Sequence, residues 1–177
     1  MAEIAEILNC SVNKVRYWMD KSEIPRRPIS EAVYIKYNPD GDPFKFEAPR
    51  TLEEAQLFGL GIGLYWGEGT KANKNAVRLG NSDPVLIKSF IDFLVRIFSV
   101  DKSSLKFELQ IFDDVDIREV ERKWIEELDI SEKQMYKTRV TPRRGVGTYR
   151  KRNTNGVMTV SYGNTKLRNR LVEMLPM

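Results

Sequence analysis

Glu68 follows a stretch, Phe58-Gly59-Leu60-Gly61-Ile62-Gly63-Leu64-Tyr65-Trp66-Gly67, that reads as a helix but is costly to build as one. Each glycine inside a helix costs about 1 kcal/mol relative to alanine, so a compensating contact is expected. Gly59, Gly63 and Gly67 recur at every fourth position and therefore share one helix face. A face without side chains lets a second backbone approach closely, and the spacing implies a tight helix–helix contact. Glu68 then stands at or just past the C-terminal end of this helix, where the macrodipole disfavours a carboxylate. A symmetric partner carrying a second Glu68 would add repulsion. Two such carboxylates, with helix-end carbonyls such as that of Gly67, suit a hard divalent cation, Mg2+ or Mn2+. A metal-dependent phosphodiester hydrolase needs such a site to activate water and to neutralise the leaving oxygen.

Other uses of the glycines fail on spacing. A dinucleotide fingerprint opening at Gly59 or Gly61 requires glycine where Leu64 or Trp66 stands, and a phosphate loop requires Gly-Lys-Ser/Thr where the chain has Gly69-Thr70-Lys71. A glycine-rich core helix with an incidental carboxylate is the remaining alternative. The chain has no histidine and one cysteine, Cys10. This excludes an intramolecular disulfide, multi-cysteine zinc sites and all chemistry that uses histidine as a base.

The 177 residues suffice for one ordinary domain and a small module, with 41% apolar residues to fill a core. The net charge is +4 but unevenly placed: nine acids lie between Asp113 and Glu132, and eleven Lys or Arg, with no acid, between Lys133 and Val172. A locally basic field suits a polyanion; a solvated face is the other explanation. No apolar run reaches the length of a membrane span and no signal core follows the N-terminus, so no membrane partner and a cytoplasmic location are expected.

The elements that must position these groups read as follows. Residues 2–20 suggest two short helices, with Asn9-Cys10 as the turn, Ser11 as the second N-cap, and Val12, Val15, Trp18 and Met19 facing inward. A third short helix is expected near 30–37. The Asn38-Pro39-Asp40-Gly41-Asp42-Pro43 turn opens a linker at 38–50, which separates segment 1–37 from domain 51–177. Thr51 and Glu54 form a capping box for the glycine helix. A hairpin of Thr70-Lys71 with Val77-Arg78-Leu79 follows. Asn81-Ser82-Asp83-Pro84 then starts a helix. Leu105 to Phe112 alternates as a half-buried strand, with Lys106, Glu108 and Gln110 on its polar side. Residues 115–128 form an acidic amphipathic helix, and Met135 to Val140 a strand with polar Lys137 and Arg139. Gly145 to Gly156 is a basic loop, Val157 to Tyr162 a strand, and Asn164 to Leu175 a closing helix.

Gly63-Leu64-Tyr65-Trp66-Gly67-Glu68-Gly69 resembles the signature of the LAGLIDADG homing endonucleases, with Glu68-Gly69 on its final acid and glycine. The element order over about 51–175, with one added helix, is also similar. The resemblance implies an α+β fold in which an antiparallel saddle sheet grips double-stranded DNA, and motif helices that meet at a two-fold axis. It makes Glu68 both catalytic residue and metal ligand. The signature's first acid is Trp66 here, and there is one motif, so the implied assembly is a homodimer on a roughly palindromic site. The polar sheet face would bring Arg78, Lys106, Gln110, Lys137 and Arg139 to DNA; a solvated sheet face is the other reading of this set. Arg143, Arg144, Arg150, Lys151 and Arg152 in the loop suit phosphate contact. Lys71, Lys137 and Lys166 are candidates to assist the attacking water.

Residues 2–20 resemble the core of a helix-turn-helix, preceding the main domain as a small helical module; a simple helical hairpin is the other reading. This would expose Ser11, Asn13, Lys14, Arg16 and Tyr17 to a major groove. Arg26 and Arg27 beside Pro25 would form an arm along the backbone or minor groove. Two functions follow: a metal-dependent DNA endonuclease, or a non-cleaving DNA-binding transcriptional regulator built on an inactive domain of this kind.

Overall fold

A computed structural model of the chain describes residues 1–142 and 154–176. The chain forms two compact units, Met1–Pro43 and Phe44–Met177.

The first unit contains α1 (Ala2–Ile7), α2 (Val12–Lys21) and α3 (Ile29–Tyr37). Asn9 takes a left-handed φ of 44°, and the Cys10 amide returns to the Ala5 carbonyl at 2.9 Å. Ser11 caps α2 by accepting from the Lys14 amide. Ala5 and Val15 are buried where α1 meets α2. Trp18, expected to face inward, is instead 51% exposed and lies edge-on to Tyr17, with the Lys21 ammonium 4.9 Å from its ring. The pair of helices is too short to enclose an indole, which gains a cation–π contact at the surface.

The second unit is α+β, and it begins inside the stretch read as linker. Phe46 packs on Phe58 and Phe98, and the Lys45 and Glu47 amides bond to the Phe98 and Ile97 carbonyls. Its elements are α4 (Leu52–Glu68), β1 (Val77–Asn81), α5 (Pro84–Phe98), β2 (Lys106–Phe112), α6 (Ile117–Leu128), β3 (Arg139–Thr141), β4 (Val157–Tyr162) and α7 (Thr165–Glu173). The expected stop and start chemistry is in place. Thr51 and Glu54 close a capping box on α4, Asp83 caps α5 ahead of Pro84, and Asn164 caps α7.

The four strands are ordered β1-β4-β2-β3. β4 pairs antiparallel with both β1 and β2, but β3 runs parallel to β2. The sheet is therefore mixed rather than antiparallel throughout. The cause is α6: a helical crossover returns the chain to the end of the sheet where β2 began, which makes the strands it joins parallel. The expected hairpin is reduced to one bridge, Gly69 to Leu79, because the Lys71 carbonyl accepts from Arg168 instead of from a neighbouring strand. The strand expected over Met135 to Val140 shrinks to Arg139–Thr141. Before it, Met135 bridges Phe107 and the Thr138 hydroxyl donates to Glu121 on α6.

Val77, Leu79, Phe107, Leu109, Ile111, Met158, Val160 and Tyr162 bury one face of the sheet with the helices, chiefly α5. α5 is the central helix because seven of its residues are buried, a full stripe at helical spacing. α4 lies on α5 at a close approach centred on Gly61. A β-carbon there would fall 2.1 Å from Cγ of Phe93, which only glycine avoids. Gly61→Ala is therefore expected to destabilise the chain by about 1–3 kcal/mol through overpacking, despite alanine's better helix propensity. Phe93→Leu should relieve part of that loss in the double variant. Denaturant unfolding of the two single variants and the double variant checks this; strict additivity would sink it.

Candidate functional site

Two surfaces of the second unit gather the residues that the sequence singles out: the outer face of α4 with its C-terminal end, and the uncovered face of the sheet.

α4 is apolar nearly all round, yet only Gly61, Ile62 and Tyr65 are buried. Gly59, Gly63 and Gly67 are exposed, and a β-carbon on any of them would meet nothing within 4 Å. The close helix contact within the chain falls on Gly61, so the four-residue glycine row is left facing outward. Leu52, Leu60 and Trp66 are exposed on the same helix. A helix that is apolar on all sides is ordinarily covered on all sides.

Glu68 is the last residue of α4 and is exposed. Gly69 ends the helix because a side chain there would strike Tyr65, with the nearest ring and carbonyl atoms 2.4 Å from a β-carbon. Lys71 turns back and its ammonium donates to the Trp66 carbonyl. A cation at the negative end of the helix is well placed. Arg168 from α7 holds the Lys71 carbonyl, so Lys71 is fixed from both ends. Of the lysines considered as helpers, Lys71 is held at the α4 terminus by a direct hydrogen bond. Lys137 lies outside β3, on the exposed connection that precedes it, and not on the sheet face where the alternation put it.

Arg168 is a residue the sequence did not reveal, since its partner is 97 positions away. It also lies against Tyr65, whose ring is fully buried and stacks on Phe90 with centroids 6.1 Å apart. The Tyr65 hydroxyl and the Arg168 Nε find no hydrogen-bond partner of ordinary geometry among the described residues. Burial pushes the Tyr65 hydroxyl above its usual value of 10.0, and the nearby Arg168 charge opposes this.

On the sheet, pairing places Arg78, Ser161 and Lys106 in one row, Gly80, Thr159 and Glu108 in the next, and Val157, Gln110 and Arg139 in a third. All nine alternate with the buried residues and so lie on the opposite face, on which no described helix is packed. Four of the five basic and amide residues expected there, Arg78, Lys106, Gln110 and Arg139, are thus brought together. Lys106 reaches the Lys133 carbonyl at 3.3 Å, and Gln110 is exposed. The unforeseen member is Glu108: its carboxylate accepts from Arg78 at 2.8 Å and from Arg139 at 2.7 Å. The alternation of β2 had put Glu108 on this face, but its partners lie on two other strands.

α6 fixes where the chain re-enters the sheet. The buried Trp124 donates to the Asn155 carbonyl at 2.7 Å and Lys123 to its side-chain oxygen at 3.0 Å. Gly156 follows at φ 67°, against the backbone of Gln110. Arg143, Arg144, Arg150, Lys151 and Arg152 lie outside the described residues.

In the first unit Asn13, Lys14, Arg16 and Tyr17 are exposed on α2. Arg26 pairs with Asp20 at 2.9 Å and Arg27 with Glu31 at 4.0 Å, so both arginines are tied to nearby acids. Among the described residues no group of three or more Asp, Glu or Cys side chains is arranged to hold a metal ion, and no helix is long and apolar enough to cross a membrane.

No protein-family model matches the chain, and neither a curated protein nor a solved structure matches it.

Tyr65→Phe is expected to leave stability at neutral pH unchanged or raised, because it deletes a buried hydroxyl that makes no hydrogen bond of ordinary geometry among the described residues. The raised folded value also predicts an alkaline effect. The folded state holds the phenol proton more tightly than the unfolded chain, so this stabilisation is complete below about pH 10 and is lost as pH rises through the folded value. Urea midpoints should fall less steeply above that pH for Tyr65→Phe than for the wild type; equal slopes would exclude Tyr65 as a source.

Proposed function

We propose that the chain is a sequence-specific binder of double-stranded DNA that works as a homodimer, similar in plan to the LAGLIDADG homing endonucleases, and that Glu68 is its catalytic carboxylate. The observation that carries this reading is the outward glycine row on α4. A helix that is apolar on both sides, with an open backbone strip on the outer side, fits a second copy of itself. Pairing two copies along that strip brings their Glu68 residues toward each other and sets two sheet faces side by side. Each face carries Arg78, Lys106, Arg139 and Gln110, donors suited to phosphates and base edges. The exposed residues of α2, Asn13, Lys14, Arg16 and Tyr17, fit a further groove contact in the manner of a helix-turn-helix.

One copy offers one carboxylate and the last carbonyls of α4, of which that of Trp66 is already held by Lys71. The donor set suits Mg2+ or Mn2+ as a pair, with Glu68 and the Gly67 carbonyl from each copy. When bound, the cation supplies activation of water and neutralisation of the leaving oxygen. Lys71, held rigidly at the same helix end, is the basic group placed to steady a phosphate there.

One observation favours a second reading, a non-cleaving transcriptional regulator: the position of the signature's first acid is Trp66, whose carbonyl is occupied by Lys71.

Selection of bound duplexes from random DNA should yield a roughly palindromic site, cut in Mg2+ by the wild type. Glu68→Gln should bind that site with cleavage reduced at least a hundredfold. Binding without cutting in either Mg2+ or Mn2+ would select the regulator. Separately, Gly63→Leu should convert a dimer to a monomer in analytical ultracentrifugation with the fold retained, since a β-carbon at Gly63 meets nothing within 4 Å among the described residues. A wild-type protein that is monomeric on DNA would sink the two-fold arrangement.

A further inference from the structure

We infer that Glu108 is a positioning residue that sets how selectively the sheet face reads DNA, by holding Arg78 and Arg139 as a fixed pair; this rests on the DNA-binding reading above. A carboxylate in the middle of a face that meets a polyanion weakens binding unless it does something else. Glu108 is the third residue of β2, and each of its oxygens takes one guanidinium: Oε2 from Arg78 on β1 and Oε1 from Arg139 on β3. The bridge therefore spans the whole sheet, since β1 and β3 are its two edges. Arg78 crosses above β4 to reach it. The passage is open because Gly80, in line with Glu108, has no side chain, and Thr159 between them is small. A β-carbon at Gly80 would lie 2.9 Å from the Thr159 hydroxyl.

The geometry has two effects. Each ion pair uses one terminal nitrogen of its arginine, which leaves other donors of a five-donor fork for base edges. With Glu108 in place those forks are held, so less side-chain freedom is lost when they engage a base. The carboxylate also reduces the charge of the trio to +1, which lowers the attraction to phosphates of any sequence. Arg78 and Glu108 are partly sheltered, at 35% and 23% side-chain exposure, while Arg139 is 66% exposed. Arg139 is thus the outermost reader and Arg78 the more rigid one.

The test compares the wild type with Glu108→Gln and Glu108→Asp, using the selected duplex, a scrambled duplex of equal length, and a series of salt concentrations. Glu108→Gln keeps the shape and removes the charge. It should bind the scrambled duplex more tightly, steepen the salt dependence by about one phosphate contact, and lower discrimination by about tenfold. Glu108→Asp keeps the charge and withdraws the carboxylate by one methylene. It should lower discrimination while leaving scrambled binding and salt dependence unchanged. The loss of discrimination in both variants should vanish in an Arg78→Gln/Arg139→Gln background, whereas the tighter scrambled binding of Glu108→Gln, which comes from its lost charge, should remain. Unchanged discrimination in both variants, equal weakening on both duplexes, or a loss of discrimination that persists without the arginines would overturn the assignment. A wild type with no salt-dependent duplex binding overturns the DNA reading itself, a result distinct from binding that ignores Glu108.

Discussion

The second unit depends on how closely α4 can approach α5. At Gly61 the ring of Phe93 occupies the space that any side chain would need. This contact fixes the rotation of α4 about its own axis. It turns Tyr65 inward onto Phe90, and it turns Gly59, Gly63 and Gly67 outward. It also determines where Glu68 emerges, because Gly69 is packed on Tyr65. The carboxylate's position is therefore set two turns earlier, by an aromatic ring on another helix. The distribution of glycines along α4 separates two tasks. One position serves intrachain packing, and three leave a smooth strip that no other described residue fills.

Much of this was legible in the residues, and for local reasons. Capping chemistry acts within three or four positions, so Thr51 with Glu54, Asp83 with Pro84, and Asn164 marked real helix starts. Period-two alternation placed Arg78, Lys106 and Gln110 on the uncovered face of the sheet. What was not legible depended on distant partners. Residues 70 and 71 have the composition of a strand, but Arg168 and the end of α4 take hold of Lys71 first. Trp18 sits at inward spacing on α2, yet the first unit has too little around it to bury an indole. The direction of β3 followed from α6, a helix that was visible in the sequence although its topological effect was not.

The same distinction applies to the candidate site. Residue types and spacing pointed to Glu68, the glycine row and the basic residues of the sheet. They gave no indication that Glu108 joins the two edge strands, since its partners lie on either side of it in sequence and on different strands in space. Nor did they show that Lys71 is fixed by Arg168. In both cases an apparently independent charge belongs to a small network. Single residues on this surface are therefore poor units of function, and neighbours within a network are expected to couple.

The position of β4 has a consequence for how the chain acquires its structure. Among the described strands it is the last in the sequence, yet it lies between β1 and β2 and is the one that pairs with both. Until it arrives, β1 and β2 have no central partner and their backbone edges remain available to other chains. Closing β1 on β4 joins residues about eighty positions apart, a high-contact-order step that slows folding. The helical part of the unit, α4 on α5, is complete much earlier and needs only local closure. The order of synthesis thus favours a helical half that forms first and waits for a sheet that can assemble only at the end.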